Sequence, residues 1–353
     1  MITAVTICCF IGLTLLPVLT WVFLFRTGLH WSQLKDVTVR RIVCTLGVIF
    51  ISSALLVILI DLDPTQPWTN LVSGQPISLP KLLFAFLEYI LLFFVNVFVI
   101  AFSFKVSLLR ALRIWTPQLV NTPAWSLFVL LVFRPFLFEA FLMPTNSMAP
   151  TLLGRHWIGT CAECNNPAYC SPRMEQYGPQ RPEEKICRDN FHVSRVPADS
   201  DHVFNGDRFL VAKFLKVKRW DLVVFHAPLA RQQDAPTKFV MRLVGLPGEE
   251  VIIKGGQVWI DGQVLTPPAS IRGIKYNTDS LPGNKSAWGS ADSPAKLGDD
   301  EYFVLGDFSR NSYDSRHWPE DKNRERPFAV PKTDIQGVAS HIYWPLSRLR
   351  AFK

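Results

Sequence analysis

Ser147 stands between two prolines in the stretch from Phe138 to Leu152, FEAFLMPTNSMAPTL. A serine hydroxyl can attack a peptide carbonyl if a base takes its proton and donors hold the developing oxyanion. Pro144 and Pro150 fix their own φ and bias the residues before them away from helix. The expectation is an extended, stiff segment that presents Ser147 in one geometry, close to a membrane surface, because Phe141 and Leu142 end an apolar run just before it. Taken alone, the stretch reads more simply as a linker below a membrane anchor. Two later clusters change that weighting: MRLVGLPGEEV at 241–251 and GDFSRNSYDSRHW at 306–318.

The elements that position these residues fall into two halves. The 353 residues are 49% hydrophobic, and the apolar residues concentrate before residue 143, which marks an N-terminal membrane region rather than one large core. Four spans are predicted, at 2–25, 42–60, 82–104 and 124–142, each long enough for a bilayer. The first is not a cleaved signal peptide, since it lacks a basic start and a small-residue cleavage site. Glu88 and Asn96 share a face of the third span and are read as packing residues inside a bundle. Arg134 and Glu139 stand near the exit of the fourth.

Loop charge sets the orientation. Residues 26–41 carry Arg26, Lys35, Arg40 and Arg41, and residues 105–123 carry Lys105, Arg110 and Arg113 without an acid. Residues 63–79 carry no Lys or Arg. The positive-inside rule puts the first two loops in the cytoplasm and the third outside, so residues 143–353 are extracytoplasmic. Localisation in the cytoplasmic (inner) membrane, multi-pass, follows, with the lipid bilayer as a partner. The formal charge of +8 is shared evenly by the two halves. No dense basic stripe argues for nucleic acid.

After Leu142 the pattern turns to short strands rich in β-branched and aromatic residues: 208–214, 220–225, 238–244, 250–265, 301–306 and 340–344. Gly255-Gly256 and Asp261-Gly262 are hairpin turns. The fold class is therefore a multi-span α-helical membrane region followed by a mostly β extracytoplasmic domain of coiled antiparallel sheets. Two insertions are expected in it, a cysteine-containing one at about 153–205 and a polar surface insertion at about 266–300.

The first insertion holds Cys161, Cys164, Cys170 and Cys187 in the pattern C-x2-C-x5-C-x16-C. The spacing resembles a small zinc site, whereas an outside location favours two disulfides; both stay open. Either would staple a lobe too short and polar to fold on its own core. Cys8, Cys9 and Cys44 lie in predicted spans and are read as apolar packing residues. His156 and His202 flank the insertion and are placed on the surface.

Taken in order, the clusters resemble a known family. SMAPTL from Ser147 to Leu152, Asn205-Gly206-Asp207 with the strand after it, RLVGLPGE from Arg242 to Glu249, GDFSRNSYDSR from Gly306 to Arg316, and Ile342-Tyr343-Trp344-Pro345 resemble the boxes of the type I signal peptidases. These are membrane-anchored serine peptidases that remove signal peptides from exported preproteins. The resemblance covers about 140–345 and leaves out the first three spans. It implies that Ser147 is the nucleophile and that its own N–H and the Thr145 hydroxyl hold the oxyanion. It also implies that Ser312 holds the base, that Arg242, Asp314 and Arg316 support the site, and that catalysis needs no cofactor. Signal peptides are the implied partners, bound by strand addition.

One position departs from the family. Bacterial members carry a lysine immediately before the arginine of RxxGxPG, and a buried neutral lysine can accept the serine proton. Here that residue is Met241, which cannot. Lys238 is the nearest amine, but residues 238 and 241 face opposite sides of a regular strand. Lys238 serves only with a bulge or by reaching around an edge. His317 is another candidate base. Two functions follow: an active signal peptidase with a relocated base, or a catalytically weakened homologue that binds signal peptides or a partner. A transporter is disfavoured, because the spans show no internal repeat.

The orientation is directly testable. Protease added to intact spheroplasts should digest residues 143–353, and digestion confined to inverted vesicles would reverse the topology.

Overall fold

The computed structural model describes residues 2–34, 37–60, 79–171, 184–194, 202–226, 238–278, 287–320 and 324–352. The chain divides into two compact units, Met1–Leu131 and Val132–Lys353.

The first unit is helical: α1 (Ile2–Trp31), α2 (Val39–Ile60), α3 (Leu79–Phe104), α4 (Leu108–Trp115) and α5 (Gln118–Phe128). Phe25, Leu29, Ile42, Leu46, Val97, Ile100, Phe104, Ala111 and Ile114 form its buried core. Polar side chains tie its helices where apolar packing alone gives little directionality. Gln118 Nε2 donates to the Trp21 carbonyl at 2.9 Å, and Trp125 Nε1 donates to Thr20 Oγ1 at 2.9 Å. Large apolar side chains face outward, among them Phe23, Phe50, Phe98, Phe102 and Leu109. Among the described residues no single helix is long and apolar enough to cross a membrane. Ile90–Phe104 and Leu108–Asn121, bent by 113° where they meet, pass that test as a pair. Asn96 lies in α3, whereas the side chains of Glu88, Cys8 and Cys9 are outside those described. Cys44 is exposed on α2 rather than packed.

The second unit is built from three antiparallel sheets. The largest runs β1 (Phe138–Leu142), β6 (Arg208–Ala212), β15 (Ile335–Trp344), β7 (Leu222–His226), β8 (Lys238–Gly245), β13 (Glu301–Leu305), β14 (Val330–Pro331), with β16 (Arg350–Ala351) on β15. The second runs β11 (Gln263–Val264), β10 (Gln257–Ile260), β9 (Glu250–Lys254), β12 (Ala295–Lys296). The third runs β2 (Trp157–Thr160), β3 (Pro167–Cys170), β4 (Lys185–Cys187), β5 (Val193–Ser194). The strands expected from the sequence are present. Gly255 and Gly256 take φ of +61° and +80°, the left-handed pair that a two-residue hairpin requires.

The large sheet coils. β1 and β8 lie four strands apart in its order, yet Lys238 Nζ on β8 meets Glu139 Oε1 on β1 at 3.2 Å. The fold encloses two cores: one on Phe209, Val223, Phe225, Met241, Leu243 and Trp318, the other on Val244, Val251, Ile253, Phe303 and Phe308.

Two expectations are corrected. The fourth span cannot run to residue 142, because Phe138–Leu142 pairs with Arg208–Ala212 across five registered positions. The preceding helix ends in a π-helical run, Val129–Leu137. An apolar stretch of that composition suits a buried strand as well as a helix, and the backbone partners offered by β6 decide. The segment 266–300 is also no mere surface insertion in its described part. Ile271, Ile274, Tyr276, Ala295 and Leu297 are buried in the second core.

Candidate active site

Ser147 does not sit on extended chain. Asn146 folds the segment back: its carbonyl accepts from Ala149 N at 3.1 Å, its Oδ1 accepts from Gly154 N at 2.8 Å, and its Nδ2 donates to the Arg155 carbonyl. The two prolines therefore bracket a run of turns. Ser147 is 8% exposed. The Thr145 hydroxyl lies 3.4 Å from its Oγ, so the two hydroxyls are neighbours on one short turn.

The GD cluster holds Ser147 from the other side. Phe308 N donates to the Ser147 carbonyl at 3.0 Å. Gly306 fills the space between Ser147 and Ser312: a Cβ there would lie 2.0 Å from Ser312 Oγ and 2.7 Å from the Ser147 carbonyl oxygen. Only glycine permits that approach. Ser312 in turn reaches Met241, with its Oγ 3.6 Å from the thioether sulfur. Ser147 and Ser312 thus meet at Gly306, and Met241, 4% exposed, lies against the Ser312 hydroxyl.

Two ion pairs fix this geometry. Arg242 Nε donates to Asp307 Oδ1 at 2.7 Å, and Arg242 Nη1 to the Trp220 carbonyl at 2.7 Å. Thr151, four residues past the serine, donates to Asp307 Oδ2. Asp314 and Arg316 form the second pair, fully buried, with Nε to Oδ1 at 2.8 Å and Nη2 to Oδ2 at 2.6 Å. Asp314 Oδ2 also accepts from Gly306 N at 2.8 Å. Arg316 spends its remaining donors on Ser309 and the Asn277 carbonyl. Burial alone would raise the Asp314 pKa, but the Arg316 charge and hydrogen bonds outweigh it, and the carboxyl is held below the ordinary range.

Lys238 lies elsewhere. β8 pairs with β7 one for one from Lys238↔His226 to Arg242↔Leu222, with no bulge between them. Residues 238 and 241 therefore face opposite sides of the strand. The Lys238 amine bonds Glu139 and lies 5.0 Å from the centre of the Phe141 ring. The bulge that would bring it to Ser147 is not formed. His317 Nδ1 donates to the Ser312 carbonyl at 3.1 Å. Burial, with the Arg316 charge, lowers the His317 pKa.

The Asn205-Gly206-Asp207 cluster holds the segment after the serine. Asp207 Oδ2 accepts from Leu153 N at 2.8 Å, and the same carboxylate binds Arg348 in a bidentate pair at 2.8 and 2.9 Å.

The cysteine lobe departs from expectation. Cys161, Cys164 and Cys187 come together with His192, their ligand atoms all within 4.8 Å of one another. Cys170 is not in this group: it is buried against Trp157, at the opposite end of β3 from the Cys161–Asn166 turn. The spacing Cys187-x4-His192 was the signal available for the fourth member. His156 is buried rather than on the surface, its Nδ1 donating to the Gly154 carbonyl at 2.8 Å. His202 is exposed, its ring 4.7 Å from that of Phe204.

Residues 191–344 match the family model described as "Signal peptidase, peptidase S26". A signal peptidase I from Leptolyngbya laminosa is 36% identical over 151 residues, covering 41% of this chain and 63% of its own. Signal peptidase I P from Bacillus subtilis subsp. natto is 32% identical over 162 residues, covering 43% of this chain and 75% of its own. The chain belongs to the signal peptidase I family. It spans less than two thirds of the Leptolyngbya relative's length, and the antiparallel β domain described above is its signal peptidase-like part. A solved signal peptidase I from Enterococcus faecalis aligns over 35% of this chain and 97% of its own, at 24% identity and a TM-score of 0.25, too low to bear on the fold.

The buried pair gives a signed pH prediction. A carboxyl held below its unfolded pKa stabilises the fold above about pH 4, and that contribution is lost as pH falls through the lower folded value. Asp314→Asn leaves the Arg316 charge unpaired and should cost about 3–5 kcal/mol. Unfolding of the detergent-solubilised chain should show this loss at pH 7 and a smaller gap between variant and parent below about pH 3. An unchanged melting temperature at pH 7 would remove the pair from the account.

Proposed function

We propose that the chain is a membrane-bound serine endopeptidase that binds signal peptides of exported preproteins and cleaves them with Ser147 as nucleophile, slowly, because among the described residues a thioether and not an amine meets the Ser312 hydroxyl. The observation that carries this reading is the convergence of Ser147, Thr145 and Ser312 with Met241 in the base position. Hydrolysis would begin with Ser147 Oγ attacking the scissile carbonyl. The Ser147 N–H and the Thr145 hydroxyl are the donors for the oxyanion. A thioether accepts no proton near neutral pH, so proton removal would fall to solvent hydroxide.

The membrane part of the proposal rests on the apolar surface of the first unit. Phe23, Phe50, Phe98, Phe102 and Leu109 are each more than 60% exposed, an arrangement that suits lipid better than water. The loop charges argue for a multi-pass anchor in the cytoplasmic membrane with the peptidase domain outside.

A second reading keeps Lys238 as general base and predicts an ordinary rate. It requires β8 to bulge and Lys238 to leave Glu139, against the pairing described above. A binding-only homologue is the limiting case of the first reading.

Processing of a model preprotein by the purified full chain separates these. The parent should cleave slowly, Ser147→Ala should abolish cleavage, and Lys238→Ala should leave the rate unchanged. Met241→Lys should raise the rate by about 10²–10⁴, the usual worth of a positioned base, since burial lowers a lysine pKa. Loss of cleavage in Lys238→Ala with no gain in Met241→Lys would make Lys238 the base. Equal rates for the parent and Ser147→Ala would leave binding alone.

A further inference from the structure

Two turns of the cysteine lobe are built alike. In the first, Cys161 N donates to the Asn166 carbonyl at 2.8 Å and Asn165 takes φ of +55°. In the second, Cys187 N donates to the His192 carbonyl at 2.8 Å and Phe191 takes φ of +57°. Each is a loop closed from its first residue to its sixth, with a left-handed residue in fifth place. The first joins β2 to β3 and the second joins β4 to β5, so both leave the same end of the four-stranded sheet. Each contributes two donors, Cys161 and Cys164 from one, Cys187 and His192 from the other.

The donor atoms face one another. Cys164 Sγ lies 3.4 Å from Cys187 Sγ, and Cys161 Sγ lies 3.8 Å from His192 Nδ1. Zinc binds thiolate at about 2.3 Å, which sets the sulfur–sulfur edges of its tetrahedron at about 3.8 Å. Three sulfurs and one imidazole are a donor set suited to zinc. Cys161 and Cys187 are buried, while Cys164 and His192 are partly exposed, which leaves a side for the ion to enter. Glu163 Oε2 lies 3.4 Å from His192 Nδ1 on the exposed rim, a partner for that nitrogen while it carries a proton.

We propose that Cys161, Cys164, Cys187 and His192 bind one zinc ion as a structural site, and that Cys170 is not a ligand. The lobe needs such a staple. Its described strands hold two to four residues each, and short elements of this kind draw folding energy from the metal. The staple also bears on the serine site. At the opposite end of the lobe, Glu184 Oε1 accepts from Arg310 Nη1 at 3.2 Å and Ser171 Oγ accepts from Asn311 Nδ2 at 2.7 Å. Arg310 and Asn311 directly precede Ser312. The second turn also backs onto Gly273, where a Cβ would lie 2.6 Å from the Asn190 carbonyl oxygen. The zinc lobe therefore braces the loop that carries Ser312.

Elemental analysis of the full chain, purified in detergent without added metal or chelator, tests the site. About one zinc per chain is expected. Cys187→Ser and His192→Ala should each lose it, and Cys170→Ser should keep it. Should the ligand variants fail to fold, a chelator added to the parent should release the zinc and expose three cysteine thiols together. Metal-free parent with a disulfide among Cys161, Cys164 and Cys187 on peptide mapping would overturn the proposal. So would zinc retained in His192→Ala but lost in Cys170→Ser.

Discussion

The Asp307 carboxylate is the point on which the site depends. It accepts from Arg242 on β8 and from Thr151 just after the serine, and it sits on the loop that carries Ser312. Three segments far apart in sequence are thus held by one buried acid. Removing one side of such a pair is costly, because the other charge stays buried without its partner. The arginine is also what fixes Met241. With Arg242 committed to Asp307, the residue before it must point to the opposite face of β8, toward Ser312. The same alternation sends Lys238 away. In the proposed mechanism the base position therefore falls to residue 241, while Lys238 stays bonded to Glu139.

A second constraint acts through Gly306. Its backbone is gripped by Asp314, and its missing Cβ lets Ser312 approach the Ser147 backbone. The Asp314–Arg316 pair thereby shapes the serine site without touching a substrate. Ser147 and Thr145 stand side by side on their turn, and the side chain that meets the Ser312 hydroxyl is a thioether. In the proposed reading, this combination orients a peptide well and cleaves it slowly.

Much of this was legible in the sequence because it is written locally. The boxes around Ser147, Arg242 and Gly306 carry their own turns, glycines and charges, and the strand pattern of 238–244 already placed Lys238 and Met241 on opposite faces. What escaped depends on distant partners. Residues 138–142 are as apolar as a helix end, and only β6 makes them a strand. Ile271, Ile274 and Tyr276 are few among polar neighbours, so their burial could not be read from composition. The cysteine spacing left a four-thiol zinc site and two disulfides open, but β3 carries Cys170 to the far end of the lobe and the second turn brings His192 to the other three. The bracketing prolines argued for extended chain, but the Asn146 carbonyl closes a turn with Ala149 N and its side chain ties that turn to Gly154 N.

The decisive measurement is the pH dependence of preprotein cleavage by the parent and by Met241→Lys. A general base must lose its proton before it can act, so a lysine base gives a rate that rises with pH and then levels off at its own pKa. That levelling is expected in Met241→Lys, with a parent rate that climbs with hydroxide without levelling. A parent profile that already levels between pH 6 and 9 would show that the chain carries a base of its own, and would contradict the proposed mechanism.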